Sequence, residues 1–324
     1  MLIMYNSRVK RKKEEKMKKS VLGRSLLLLL AAFIWGTTFV AQSEARVSPF
    51  TFNSMRFFLG ALVLLPVIFT FDKVNNKKRA LFAFNRNELI GGLFCGLVLG
   101  VASALQQFGI GMTSAGKSAF ITSLYVVIVP VFGIFTKRRV GARIWGCVAL
   151  AFVGALLLSS DFSGGGRMNM GDLLCLFCAI TFALHIVVID RYSPETDGVR
   201  MSCIQFFVAG LISLPLMLIF EAPSVSDIIA DWLPICYAGF LSCGIAYTLQ
   251  IVGQKDCPPA TASIILSLES VFGAISGTVI LGIIGNDASE IMTVRETIGC
   301  LTVFLAVILA QLPECRNVNK SLKN

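Results

Sequence analysis

Residues 100–128, GVASALQQFGIGMTSAGKSAFITSLYVVI, and residues 244–272, GIAYTLQIVGQKDCPPATASIILSLESVF, are two readings of one pattern set 144 positions apart. Without a gap, Gly100 falls on Gly244, Leu105 on Leu249, Gln106 on Gln250, Gly109 on Gly253, Ser123 on Ser267 and Leu124 on Leu268. Shared apolar composition gives some of these matches. It does not readily give a paired Gln and two paired Gly in register, so the chain reads as an internal duplication. Two further registers agree: Arg56-Phe57-Phe58 leading to Pro66 falls on Gln205-Phe206-Phe207 leading to Pro215, and Trp35 falls on Phe182.

Both copies lie among long apolar runs. Of 324 residues, 55% are hydrophobic and 15% charged, with a mean hydropathy of +0.76, against about 25% charged in soluble domains. A water-soluble chain of this length would lack the polar surface to cover itself. The chain therefore reads as an integral membrane protein, and its long apolar runs must be helices, because a helix pairs its own backbone groups in lipid. Ten candidate spans emerge, at 24–43, 50–71, 89–110, 115–135, 143–160, 170–189, 200–220, 232–251, 260–284 and 294–312. Short connections carry turn signals such as Ser48-Pro49, Gly164-Gly165-Gly166 and Cys257-Pro258-Pro259.

Nine Lys and Arg fall in the first 24 residues, and the apolar run that follows lacks a clear small-residue cleavage site, so it reads as the first helix and not as a removed signal. With the amino terminus inside, 24 Lys and Arg lie in the inner segments and three, Arg46, Arg167 and Arg295, in the outer loops. That split predicts cytoplasmic termini and an even number of spans. The formal net charge of +10 is thereby topology and attraction to anionic lipid, with no call for nucleic acid. Ten spans in two copies leave five per copy, and an odd number inserts the second copy upside down. The fold class is an all-α polytopic membrane protein of ten transmembrane helices in two inverted five-helix repeats, an architecture that places a substrate site near the midplane between the halves.

Within that frame Glu269 is the most informative residue. It sits at a depth of roughly 13–15 Å from the cytoplasmic edge, where a carboxylate costs several kcal/mol unless it is paired, hydrated or protonated. It reads either as a proton site or cationic-substrate partner, or as a structural hydrogen bond. Arg56, on the second helix, either binds a substrate carboxylate, pairs with Glu269 or snorkels outward. Gln106 and Gln250 either line access routes on opposite sides or bond across packed helices. Trp35, Tyr125, Phe182 and Tyr247 are candidates for an aromatic wall around a ligand, against the alternative of facing lipid. His185 has proton work open to it as well as plain packing. The ten Cys are scattered through apolar runs, Cys175 and Cys178 read as packing residues, and one His argues against a zinc site or a His-based triad.

Ala32-Phe33-Ile34-Trp35-Gly36-Thr37-Thr38-Phe39, the Arg56-Phe57 pair, Thr113-Ser114-Ala115 to Ser123-Leu124-Tyr125, and Ser267-Leu268-Glu269 with Ile298-Gly299 resemble the EamA family of the drug/metabolite transporter superfamily. The resemblance covers roughly residues 24–313. It implies a ten-helix carrier of two EamA-type repeats, commonly exporting amino acids or related small metabolites. The chain departs from the family pattern at Phe135-Thr136-Lys137-Arg138-Arg139, at Ser270 where a proline often follows, and in the acidic loop 285–290.

The expected organisation is a basic cytoplasmic tail (1–23), a first repeat (24–160), a second repeat (161–313) and a cytoplasmic tail (314–324). The expected activity is secondary-active export by alternating access in the plasma membrane, not enzymatic. It takes a small-molecule substrate, the lipid bilayer as partner and protons as candidate coupling ion, with no cofactor and no metal. A sugar-phosphate or nucleotide-sugar antiporter and a drug efflux carrier are the alternatives within the superfamily. A channel or a membrane-embedded enzyme is the more distant rival, and no phosphate-binding Gly-x-x-x-x-Gly-Lys motif points to ATP.

Overall fold

The computed structural model describes residues 2–74, 79–113, 115–135, 140–158, 169–255, 257–285 and 291–312, with side chains described from residue 22 onward and not for 115–117. The described residues form helices and no strand. Ten spans follow in order: α1 (Leu22–Ser43, the apolar part of the helix Leu2–Ser43), α2 (Pro49–Val74), α3 (Arg86–Ile110), α4 (Ser118–Phe135), α5 (Ala142–Leu158), α6 (Met170–Glu195), α7 (Gly198–Glu221), α8 (Trp232–Gln254), α9 (Pro259–Ile284) and α10 (Val294–Gln311). Nine are long and apolar enough to cross a bilayer, and α5, at 17 residues, stands at the lower limit. Most boundaries fall within a few residues of those expected. The Gly164–Gly166 turn lies outside the described residues. An extra short helix, Val225–Ala230, stands between α7 and α8 and had no expected counterpart.

The two copies pack as an inverted pair. Helix α2 lies along α7 and α5 along α10, each helix against its own counterpart, while α3 packs on α6 and α7 just as α8 packs on α1 and α2. The register read from the sequence appears here as contact. Phe57 stacks on Phe206 at 6.3 Å between ring centroids, and Phe58 meets Phe207 edge-on at 6.1 Å. Leu28, Ala31, Tyr125, Ile186, Ile265 and Leu266 form the core where α1, α4, α6 and α9 converge.

Two spans are interrupted at matching places. Helix α4 breaks at Leu124, between Ala115–Ser123 and Tyr125–Phe135, and α9 breaks at Ser267, between Pro259–Leu266 and Leu268–Gly277. The local hydrogen bonding is duplicated. Ser123 Oγ donates to Phe120 O at 2.7 Å and Ser267 Oγ to Ile264 O at 2.7 Å, turning each serine back on its own helix. Each break opens a half-helix with Tyr125 or Glu269 in its first turn.

Without a hydrophobic drive between helices in lipid, close backbone approach supplies the packing energy. Helices α5 and α10 meet through two glycines. A Cβ on Gly154 would stand 2.8 Å from Gly299 O, and one on Gly299 would stand 2.7 Å from Gly154 O. Gly146, on the same α5, would meet nothing within 4 Å. Gly154→Val is therefore expected to destabilise the detergent-solubilised protein by about 1–3 kcal/mol, and Gly146→Val to leave it unchanged. Thermal unfolding of the two variants side by side checks this, and equal stability would show that the α5–α10 contact is not close.

Candidate functional site

The sequence of α1 places Trp35, Thr38, Phe39 and Gln42 on one helical face, by the i, i+3, i+4, i+7 rule. That face lines a cavity between the halves. Arg56 from α2 and Gln106 from α3 complete one side, and Tyr125 from α4 with Phe182 from α6 another. The far wall comes from Ser242, Tyr247 and Gln250 of α8 and from Glu269 of α9. All the residues singled out from the sequence line this one space except His185, which stands behind the wall. Its Nε2–H donates to Gln205 Oε1 at 3.2 Å, and its ring meets Tyr247 edge-on.

Arg56 does not snorkel. It is 2% exposed, and its guanidinium carbon lies 5.3 Å and 5.0 Å from the rings of Phe52 and Phe57, within the range of cation–π attraction. Among the described residues it forms no ion pair, with Glu269 or any other carboxylate, and its Nε and Nη2 have no hydrogen-bond partner in the protein. Glu269 is 6% exposed, and its Oε1 likewise has no partner. Tyr125 is its near neighbour in the cavity wall. Trp35 Nε1 and Gln250 Oε1 are also unmatched. Buried polar groups are normally paired, so these unmatched donors and acceptors leave hydrogen-bonding capacity facing one cavity.

Aromatic surfaces form much of the remainder. Trp35 and Tyr247 lie 4.6 Å apart between centroids, and Tyr247 rests edge-on against Phe206. Towards the far face, Gln42 Nε2 donates to Gln107 Oε1 at 3.2 Å and Gln106 Oε1 at 3.5 Å, so α1 and α3 are tied above the cavity. Neither Gln42 nor Gln107 was among the expected residues. The signal for Gln42 was its place two turns after Trp35 on the same face, with an amide inside an apolar span.

The open space is about 40 Å³, room for a few waters and far below the 300 Å³ or more of usual ligand pockets. Admitting a guest requires the walls to part. Below the site, a wider cavity of about 770 Å³ reaches the face where α1 begins, lined by Val129, Pro130, Asp190 and Pro259 among others. The apolar cluster of Tyr125, Val129, Ile186, Ile265 and Leu266 divides the two. Among the described residues no group of three or more His, Cys, Asp or Glu could hold a metal, and the described cysteines are unbridged.

Comparison with known proteins agrees with this architecture. The model of the EamA-like transporter family matches residues 24–160 and again 169–312. An uncharacterized transporter of Archaeoglobus fulgidus is 32% identical over 293 residues, covering 88% of this chain and 84% of the relative. The threonine/homoserine exporter RhtA of Salmonella typhimurium strain LT2 is 23% identical, covering 79% and 82%. One solved structure superposes with a TM-score of 0.69 over 93% of this chain at 17% identity, which speaks to the fold alone. An inverted pair of five-helix repeats around a central cavity, matched by the family model in both copies, makes this chain an integral, multi-pass member of the EamA-like transporter family.

Proposed function

We propose that the chain is a secondary-active carrier that exports small zwitterionic metabolites, amino acids foremost, by alternating access across the plasma membrane. The observation that carries this reading is the pair Arg56 and Glu269, opposite charges buried in one cavity and joined to no protein partner of opposite charge. Leaving two such charges unmatched costs several kcal/mol each. A zwitterion satisfies both at once, its carboxylate on the Arg56 fork and its ammonium on Glu269, with Trp35, Phe182 and Tyr247 against the remainder. The named exporter of threonine and homoserine among the relatives supports the substrate class. A sugar phosphate would want several cations, and Arg56 is the one Lys or Arg lining the cavity among the described residues.

Glu269 also offers a coupling route. A proton and a substrate ammonium compete for the same carboxylate, so loading one releases the other. Arg56→Gln is expected to weaken binding of an amino acid by roughly 30- to 100-fold, the loss of a charge-assisted contact of about 2–3 kcal/mol. The corresponding amine without its carboxylate should bind variant and parent alike. Equal weakening for both compounds would mean that Arg56 supports the fold and not the carboxylate. Glu269→Gln is expected to abolish accumulation driven by a pH gradient in proteoliposomes while exchange at equal pH persists. Full gradient-driven transport by that variant would remove Glu269 from coupling.

The Lys and Arg distribution supports cytoplasmic termini. The loop before α9 then faces the cytoplasm. Its Cys257 is half-buried, and burial, aided by Asp190, pushes the thiol up to about 12. The thiolate is the reactive form, so its population at neutral pH is small and rises about tenfold per pH unit. A chain retaining Cys257 as its one cysteine should react with an impermeant maleimide only in inside-out vesicles, faster at pH 9 than at pH 7. Reaction in intact cells would invert the topology.

A further inference from the structure

Four carboxylates outside the cavity join the two halves at the helix ends, two on each face. At the face where α1 begins, Asp72 closes α2 and pairs with Arg200 at the start of α7. Arg200 is 1% exposed, and its Nη1 also donates to Leu81 O at 2.9 Å and Ala83 O at 3.0 Å. Beside it Glu88, fully buried at the start of α3, takes both Nη atoms of Arg79 at 3.1 and 2.8 Å and the Asp197 N–H at 3.4 Å. At the far face Glu221 closes α7 and accepts from Phe50 N at 2.8 Å and from Thr51 N and Oγ1, each at 2.7 Å, at the start of α2. Asp231, 4% exposed before α8, accepts from Arg46 N and, at 2.6 Å, from Val47 N in the connection between α1 and α2.

These contacts obey the duplication. Glu221 lies 149 positions after Asp72, and Arg200 lies 149 after Thr51, the same offset that relates Arg56 to Gln205. Asp231 falls within one residue of the 144-position counterpart of Glu88. Each face thus has one contact along the α2–α7 pair and one from the start of α3 or α8 to the connection preceding α7 or α2. Each carboxylate has a contact that crosses from the first half to the second, while the Arg79–Glu88 pair stays within the first.

We infer that these four carboxylates are the latches of alternating access: Asp72 and Glu88 hold the face where α1 begins shut, and Glu221 and Asp231 hold the far face shut. Halves that rock about a central cavity open one face at a time, so the latches of that face release while the opposite pair stays made. Both sets are made in this structure, where the cavity between them is contracted to about 40 Å³. The two latch sets differ in chemistry. Across the halves Asp72 meets the buried guanidinium of Arg200, whereas Glu88, Glu221 and Asp231 take backbone N–H groups, Glu221 a hydroxyl as well. Weakening one set therefore tilts the balance towards opening its own face.

The inference rests on the carrier reading but not on the substrate, and its test needs no substrate. The full chain, cysteine-free apart from Ser242→Cys in the cavity wall, is placed in right-side-out and inside-out vesicles and exposed to an impermeant thiol reagent. Asp72→Asn is expected to raise the labelling rate about fivefold from the side where α1 begins and to lower it from the other. Glu221→Ala is expected to do the reverse. Exchange of the pair, Asp72→Arg with Arg200→Asp, should return both rates towards the parent. Equal changes from both sides, or none, would make the carboxylates static staples and overturn the assignment. If Asp72→Asn does not accumulate as folded protein, the Glu221→Ala arm decides alone, because Glu221 is half-exposed and its removal strands no buried cation.

Discussion

A guanidinium and a carboxyl group, Arg56 and Glu269, line one cavity and form no ion pair. Ionised together they would attract at protein-like dielectric, and the scaffold sets them on different helices. Arg56 is fixed by α2, with its guanidinium against Phe52 and Phe57. Glu269 is fixed by the break in α9, which starts a new half-helix at Leu268 and sets the carboxylate in its first turn. A carboxylate is favoured there, where backbone N–H groups lack intrahelical partners. Gly36 brings α1 up against this same turn, since a Cβ there would stand 2.8 Å from Glu269 O and 2.5 Å from Phe272 Cβ. The helix crossing, the break and the cation–π shelf together position that pair.

Much of this was legible in the sequence because the duplication is legible. Register fixed which residues share a depth, and depth is what brought Trp35, Arg56, Tyr125, Phe182 and Glu269 together as candidates. Azimuth was not legible. Arg56 could turn to lipid or to the interior at the same depth, and only the packing of α2 on α7 and α8 decides for the interior. His185 shows the same limit: one position from the lining residue Ile186, it meets Gln205 and not the cavity.

The latch carboxylates were missed for a different reason. An acidic residue at a helix end ordinarily reads as a solvated cap, and Glu88 does cap α3 in a box with Asn85. That the same carboxylate also binds Arg79 and the next half of the chain is a tertiary fact with no local pattern. The interruptions of α4 and α9 were half visible, as Ser-Leu pairs in register, but serine inside an apolar helix is common, and at Ser263 and Ser213 its hydroxyl turns back without interrupting the helix. Conversely, the extra helix Val225–Ala230 shows that the halves are not copies in every part.

Wide, π-type turns run through Met217–Glu221 of α7, Ala238–Tyr247 of α8 and Thr278–Ile284 of α9, all in the second half among the described residues. Such a turn carries one residue more than the ordinary helix around it. Because one residue subtends about 100° of a helix, sliding the surplus along the chain works as a crank: the segment it passes rotates while both ends stay put. In α8 the surplus lies immediately before Gln250 and includes Tyr247 and Ser242, which face the cavity. Such a slide would re-aim that wall by rotation about the helix's own axis.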